Sequence, residues 1–249
     1  MLISVITCTW NSIATLRQTV ESVMAQQDAE VEHIFVDGGS TDGTLEYIES
    51  LSYEYVLLRQ VGGGIARAMN EGAKVATGQF LCHLHSDDYF LSPLVLKRVS
   101  DMLAVGGYDW LFGRILSDVD GAMIPESFKV PEYSFKRLVQ GNFIPHPATF
   151  VRTSVFNELG GFKEDLKFAM DYEFFLRLGS KHEPLALREA LAVFRVHAGS
   201  TTVKNKMASF EEDHQVRLRY AGRSLAEQLM HAARYAVRKR RLRAALVSP

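Results

Sequence analysis

Cysteine is scarce. The chain has two in 249 residues, Cys8 and Cys82, far apart and with no metal-binding spacing. They read as reduced thiols in or near a strand core, as in a cytosolic protein. Long apolar runs are also lacking. No stretch approaches the ~20 residues of a membrane span. The opening MLISVITCTW has no basic region, and its apolar run is too short for a secretion signal, so a cytoplasmic chain is expected. Charge of one sign is not in excess. With 28 basic and 29 acidic residues the net charge is −1, and nothing attracts nucleic acid globally. There is no internal repeat, low-complexity tract or obvious linker. One local imbalance stands out. No acidic residue follows Glu227, while Arg234, Arg238, Lys239, Arg240, Arg241 and Arg243 crowd together.

What is present is an ordinary globular composition, 47% apolar and 23% charged, long enough for a substantial core. The first half alternates between two periodicities. Strands are expected at 2–10, 32–39, 54–60 and 79–86. Helices are expected at 12–27, with Ser12 as N-cap, and at 42–51, 65–76 and 92–107. Such β-α alternation predicts a mostly parallel, doubly wound sheet. The second half is less regular. A hairpin over 109–123 should turn at Asp120-Gly121. Helices are expected at 134–142, at 153–162 closed by Gly160-Gly161, and at 170–182. A short strand reads at 148–153, an extended run at 184–197, and two helices from 206 to about 246.

In open α/β sheets ligands bind beyond the carboxyl ends of the strands. Those ends read TCTWN, VDGGSTDG, QVGGG and HSDDY, which are polar, glycine-rich and acidic. Asp87 and Asp88 supply hard oxygen ligands suited to Mg²⁺ or Mn²⁺ shared with a diphosphate; the plainer reading is an Asx turn capping the next helix. Asp37 could accept hydrogen bonds from a ribose or base, or cap its own turn. Gly62-Gly63-Gly64 lacks the spacing of a phosphate loop and reads as a strand-helix turn. Asp171, at a helix start, is a general-base candidate if it faces the crevice and otherwise a cap. Glu173 faces elsewhere. Arg195 and His197 share one strand face, where Arg could neutralise phosphate and imidazole could ligate Mn²⁺. His146, in PHPATF, is a further candidate.

Taken in order, SVITCTWNSIATLRQTVESVMAQQ, VDGGSTDGTLEYI, AMNEGAKVATGQFLCHLHSDDYF, HPATFVRTSVFNELGGFKEDLKFAMDYEFFLRL and FRVHAGSTT resemble family 2 glycosyltransferases. The resemblance runs over roughly residues 2–202. It is similar in particular to bacterial enzymes of surface-polysaccharide assembly, including colanic-acid-type transferases. The resemblance implies a GT-A (Rossmann-like) nucleotide-diphospho-sugar transferase fold: α/β, with C-terminal helices. A transferase domain over 1–205 would carry a helical extension with a basic tail over 206–249. The implied activity is inverting, metal-dependent transfer of a sugar from a nucleotide-diphosphate sugar to a hydroxyl of a glycan or lipid-linked acceptor.

By the same resemblance, Asp88 matches the metal-binding acid and Asp87 its ribose-contacting neighbour. Asp171 matches the catalytic base. His197 matches a histidine of the metal and diphosphate site, and Cys8, Thr9 and Trp10 the strand end where the base packs. Three positions depart from the family pattern: Gly38 and Gly62 stand where relatives often carry Asp, and Met170 where they carry Glu.

Two rivals remain. A sugar nucleotidyltransferase shares the α/β fold and carboxylate-metal chemistry, but TCTWNSIATL lacks its basic glycine-rich loop. A degenerate transferase acting as a nucleotide-sugar-binding scaffold is the other. The basic stretch 229–247, with Leu229, Ala233, Ala236 or Val237 and Leu242 interspersed, reads either as a helix drawn to anionic lipid at the inner membrane face or as a solvated charged face or tail.

Overall fold

The computed structural model describes residues 1–125, 130–196, 205–221 and 225–247. Strand β1 (Leu2–Thr9) is buried from Ile3 onward. It pairs in parallel with β2 (Glu30–Asp37) on one side and with β4 (Phe80–His83) on the other, and β3 (Val56–Leu58) lies beyond β2. A strand covered on both faces is largely apolar rather than alternating; in ISVITC the two buried exceptions, Ser4 and Thr7, are hydrogen-bonded to Glu32 and His33 on β2. Ile3 and Val5 pack on one face with α1 (Ile13–Met24) and α4 (Val95–Gly106). Ile6 and Cys8 pack on the other with α3 (Ile65–Val75). The helix α2 (Thr44–Glu49) closes a smaller cluster of Leu16, Val20, Phe35 and Ile48.

The second half completes the sheet in the order β3-β2-β1-β4-β8-β6-β9-β5. Strand β8 (Thr149–Arg152) enters antiparallel between β4 and β6 (Trp110–Val119), and β9 (Leu185–Val196) runs parallel to β6. The short β5 (Tyr89–Phe90) pairs antiparallel with β9. The hairpin forms where expected. Strand β7 (Ala122–Pro125) returns along β6 through Asp120 and Gly121, whose φ angles of 52° and 84° fit a two-residue turn matched to strand twist.

Helices α5 (Phe135–Leu138), α6 (Thr153–Glu158) and α7 (Met170–Gly179) are shorter than their sequence patterns. Strand β4 also stops early, because the chain turns at His85–Asp88 through the Asp88 N–H to His85 C=O bond of 3.0 Å. Helix α8 (Lys206–Leu218) lies on α7, with Val216 inside the main core and Arg217 buried. Helix α9 (Leu225–Val247) packs along α8. There Tyr235 stacks on Phe210 and His214, and Lys239 pairs with Glu211 at 2.7 Å.

Helix α3 seats close to the sheet because residue 72 has no side chain. A Cβ there would stand 2.6 Å from Ile6 Cγ2 and 3.0 Å from Val36 Cγ2. Overpacking of this kind costs about 1–3 kcal/mol. Gly72→Val should therefore lower the urea midpoint by that equivalent at unchanged m-value; an unchanged midpoint would contradict the close seating.

Candidate active site

Three parallel strands end at one edge of the sheet. Their register sets Thr9 opposite Asp37 and Ile6 opposite His83. Beyond that edge opens a cleft of about 840 Å³, within the usual span for small-ligand sites. Its walls come from Cys8, Thr9 and Trp10 at the end of β1, from Gly38, from Val61 to Ile65 at the start of α3, and from His85 to Asp88. His146, the segment around Lys167, Phe168, Met170 and Asp171, and Phe194 complete it.

Trp10 is 71% exposed at this cleft. The turn beneath it is fixed by bonds from Asn11 N–H to Ser40 Oγ and from Thr41 N–H to Asn11 Oδ1, at 2.8 and 2.9 Å. The Trp10 ring is left in water on a fixed turn, with a face open to the cleft rather than packed in the core. Cys8 is buried, and burial pushes its thiol up to about 12, so it is a neutral wall. At position 38 a side chain would meet Trp10 only at 3.5 Å, and at 62 nothing lies within 4 Å. The two glycines thus leave room in the cleft.

Asp37 does not line the cleft. It is fully buried, and its oxygens accept from Thr9 Oγ1 (2.8 Å), Gly39 N–H (2.8 Å), Ser40 N–H (2.9 Å) and Ser40 Oγ (2.5 Å). Burial alone would raise its carboxyl. The bonds from Ser40, Thr9 and Gly39 outweigh that and hold it below the usual range. Its geometry is that of a turn cap.

Asp87 and Asp88 both line the cleft. Asp88 is 1% exposed. Its Oδ1 accepts the Arg195 backbone N–H at 3.1 Å, and its carbonyl accepts Thr19 Oγ1 at 2.7 Å. Burial, then the adjacent charge of Asp87, pushes its carboxyl well above the usual range, and the bond from Arg195 only partly offsets this. Two neighbouring carboxylates of this kind fit a hard divalent cation, whose charge removes the penalty of ionising Asp88. Among the described residues no group of three or more His, Cys, Asp or Glu forms a full cation shell. Diphosphate oxygens and water would supply the other positions.

Asp171 sits in the first turn of α7. Its Oδ1 accepts Tyr172 N–H at 2.6 Å, and its Oδ2 accepts Asn142 Nδ2 at 3.3 Å. Asn142 is itself oriented, because its Oδ1 accepts Ile144 N–H at 3.1 Å. His146 Nδ1 lies 3.9 Å from the same Asp171 Oδ2, and its ring packs against His85, Phe162 and Phe175. Burial, then His146, lowers His85 to about 4, against the opposing charges of Asp87 and Asp171. His85 is therefore neutral at pH 7, within electrostatic reach of both acidic positions. Its buried Nδ1 has no partner among the described residues.

The side chain of Arg195 turns away from the cleft. It bonds Gln18 and lies over the ring of Tyr89. Alternation along β9 explains this, since Phe194 is the residue that lines the cleft. Arg195 touches the site through its backbone N–H, and its guanidinium acts on Asp88 only at a distance, through its charge. His197 lies outside the described residues. Glu173 is buried in a 2.5 Å ion pair with Arg177. Sequence patterns gave no sign of Asn142 or Asp213, which come from a loop and a helix remote in the chain, nor of Lys167, which stands four residues before Asp171 in no recognisable pattern. Lys167 brings a cation to the cleft wall. Asp213, on α8, is pushed up to about 7 by burial and then by the charge of Asp171, against the attraction of Arg217.

Comparison with known proteins fits this geometry. Residues 4–158 match the model of Glycosyl transferase family 2. An uncharacterized glycosyltransferase of Mycobacterium tuberculosis is 33% identical over 198 residues, covering 77% of this chain and 74% of that protein. S. aureus TarS 1–349, solved in complex with UDP-GlcNAc, superposes with a TM-score of 0.72 at 24% identity, over 87% of this chain and 65% of that one. The mannosyltransferase PcManGT from Pyrobaculum calidifontis, solved with GDP-Man and Mn²⁺, gives 0.69 at 17% identity, over 94% of this chain and 69% of that one. These solved structures are GT-A glycosyltransferases, and the fold here is theirs.

Asp213 makes the fold sensitive to pH. Its folded-state value lies above that of an unfolded Asp, so its contribution to stability is full below about pH 4 and is lost as pH rises to about 7. Asp171, Glu212 and Arg217 are the charged groups acting on it. Asp213→Asn should flatten the stability profile between pH 4 and 7 and raise the Tm at pH 8. Profiles that superimpose for variant and wild type would contradict the raised carboxyl of this half-buried residue.

Proposed function

The chain belongs to glycosyl transferase family 2, and we propose that it moves a sugar from a nucleotide-diphosphate donor to a hydroxyl acceptor by a single inverting displacement. The observation that carries this reading is one cleft containing Trp10, the carboxylate pair Asp87-Asp88 and Asp171. Trp10 offers a face on which the base stacks, with Cys8 and Thr9 beneath. Asp87 reaches the ribose. Asp88 and Asp87 would hold Mg²⁺ or Mn²⁺. That ion, when bound, offsets charge developing on the departing diphosphate. The neighbour PcManGT was solved with Mn²⁺.

Asp171 takes the proton from the acceptor hydroxyl as that oxygen attacks the anomeric carbon. Asn142 and the Tyr172 N–H orient its carboxylate, and Lys167 lies at the cleft wall for anionic groups of donor or acceptor. Cleavage of the sugar–oxygen bond leaves nucleoside diphosphate, and attack from the opposite face inverts the centre. UDP-sugars and GDP-sugars are the first donors to test, because TarS and PcManGT were solved with UDP-GlcNAc and GDP-Man. We place residues 1–205 as the transferase domain and 206–249 as a helical extension built on it.

The acceptor we favour is a growing surface polysaccharide or lipid-linked glycan, met at the inner membrane face. Among the described residues no helix is long and apolar enough to cross a membrane. On α9, however, Leu229 and Val237 are exposed among the arginines of 234–243. A polybasic surface of this kind gains ~1 kcal/mol per residue near anionic lipid. The chain should sediment with phosphatidylglycerol vesicles and not with phosphatidylcholine vesicles. Equal recovery with both would remove the membrane from the account.

The direct test is release of nucleoside diphosphate from UDP-GlcNAc, GDP-mannose and a wider donor panel. Asp171→Asn should lower turnover by about 10²–10⁴-fold and leave nucleotide affinity intact. Asp88→Asn should abolish stimulation by Mn²⁺. Full turnover in both variants would overturn the assignment. Release of pyrophosphate from a nucleoside triphosphate would instead identify a nucleotidyltransferase.

A further inference from the structure

Helix α7 has no side-chain cap at its N-cap position. Its N-cap is Ala169, which has no side chain to accept the exposed first-turn N–H groups. The residue before Asp171 is Met170, buried and apolar. Within the first turn Asp171 accepts one N–H, that of Tyr172, and a second carboxylate reaches the segment just before the helix from the C-terminal part of the chain. Glu212, on α8, accepts the backbone N–H groups of Lys167 at 3.1 Å, Phe168 at 2.5 Å and Ala169 at 2.7 Å. Charge-assisted bonds are about twice as strong as neutral ones, and a negative charge at a helix N-terminus is favoured by the dipole.

The clamped segment borders the cleft: Lys167 and Phe168 line it, and so do Met170 and Asp171 immediately beyond. Glu212 does not line it. The orientation of Asp171 depends on that backbone, because its Oδ1 is tied to the next N–H, that of Tyr172. We propose that Glu212 is a positioning residue for Asp171: its carboxylate, delivered by α8, fixes segment 167–169 and so the start of α7. This rests on Asp171 being the base, as proposed above. It makes α8 a part of the catalytic apparatus, standing in for the acid that the family pattern places beside the base and that is Met170 here.

The role separates from simple stabilisation by what moves. A misplacement of about 1 Å costs on the order of 10²-fold in rate, and the donor, gripped mainly elsewhere, should bind as before. The experiment compares wild type, Glu212→Ala, Glu212→Gln and Asp171→Asn. It reads hydrogen exchange of the 167–169 amides and the kcat and KM for nucleotide release from UDP-GlcNAc, GDP-mannose and the wider donor panel.

Glu212→Ala should exchange these amides at least tenfold faster and lose kcat about 10–100-fold, with KM for donor within twofold. Glu212→Gln, which keeps an accepting carbonyl, should fall between. The proposal is overturned by unchanged exchange in Glu212→Ala, by faster exchange with kcat within twofold of wild type, or by a loss confined to KM. If Glu212→Ala does not fold, Glu212→Gln decides by the same readings. Asp171→Asn turning over like wild type, or a wild type inert to every donor, strikes the base assignment instead, while exchange still reports on the clamp.

Discussion

The bond from the Arg195 N–H to Asp88 Oδ1 joins residues 107 positions apart, and the cleft takes its shape from that junction. On one side lies the turn that follows β4, closing the parallel half of the sheet. On the other lies the end of β9, the strand that closes the second half. Asp88 is nearly inaccessible there, and the N–H only partly offsets the penalty of burying its charge beside Asp87. A fold selected for stability alone would place an apolar residue at such a position. In the function proposed above, the carboxylate is the protein's half of a site whose other half arrives with a ligand.

Around this junction the charges are divided by wall. The turn after β4 brings Asp87 and Asp88, and α7 brings Asp171. Between them stand His85 and His146, kept in contact by aromatic packing, with His85 held neutral by burial. A neutral ring in that place separates two acidic positions without adding a competing positive charge. Trp10, exposed, comes from the end of β1 and Met170, buried, from the start of α7, so different elements of the fold line the cleft.

Much of this was legible from the residues. Both faces of the first-half sheet are covered, so β1, β4 and the second half of β2 are rich in apolar residues on both faces, and their helices had to show a 3.6-residue period. Strand ends were legible because polar residues directly after a buried run have few places to go. Cys8, Thr9, Trp10, Asp87 and Asp88 all line the cleft.

Two residue types defeated the reading. Asp37 and Arg195 stand at the right strand ends, but one is consumed by its own turn and the other points to the opposite side of β9. Sequence spacing could not decide between those uses. Asn142, Glu212 and Asp213 were invisible for another reason: their roles exist only once a loop and a C-terminal helix have folded against α7. The segment 134–142 also promised a longer helix than the four residues of α5.

The measurement that bears most directly on the central claim is electron paramagnetic resonance of Mn²⁺ titrated into the protein with UDP or GDP present. The amplitude of free Mn²⁺ reports binding without any need for an acceptor. The account predicts that wild type removes about one equivalent of Mn²⁺ from solution in the presence of the correct nucleotide. Asp88→Asn should weaken that binding at least tenfold. Equal Mn²⁺ binding by Asp88→Asn and wild type would contradict a cleft organised around the buried carboxylate.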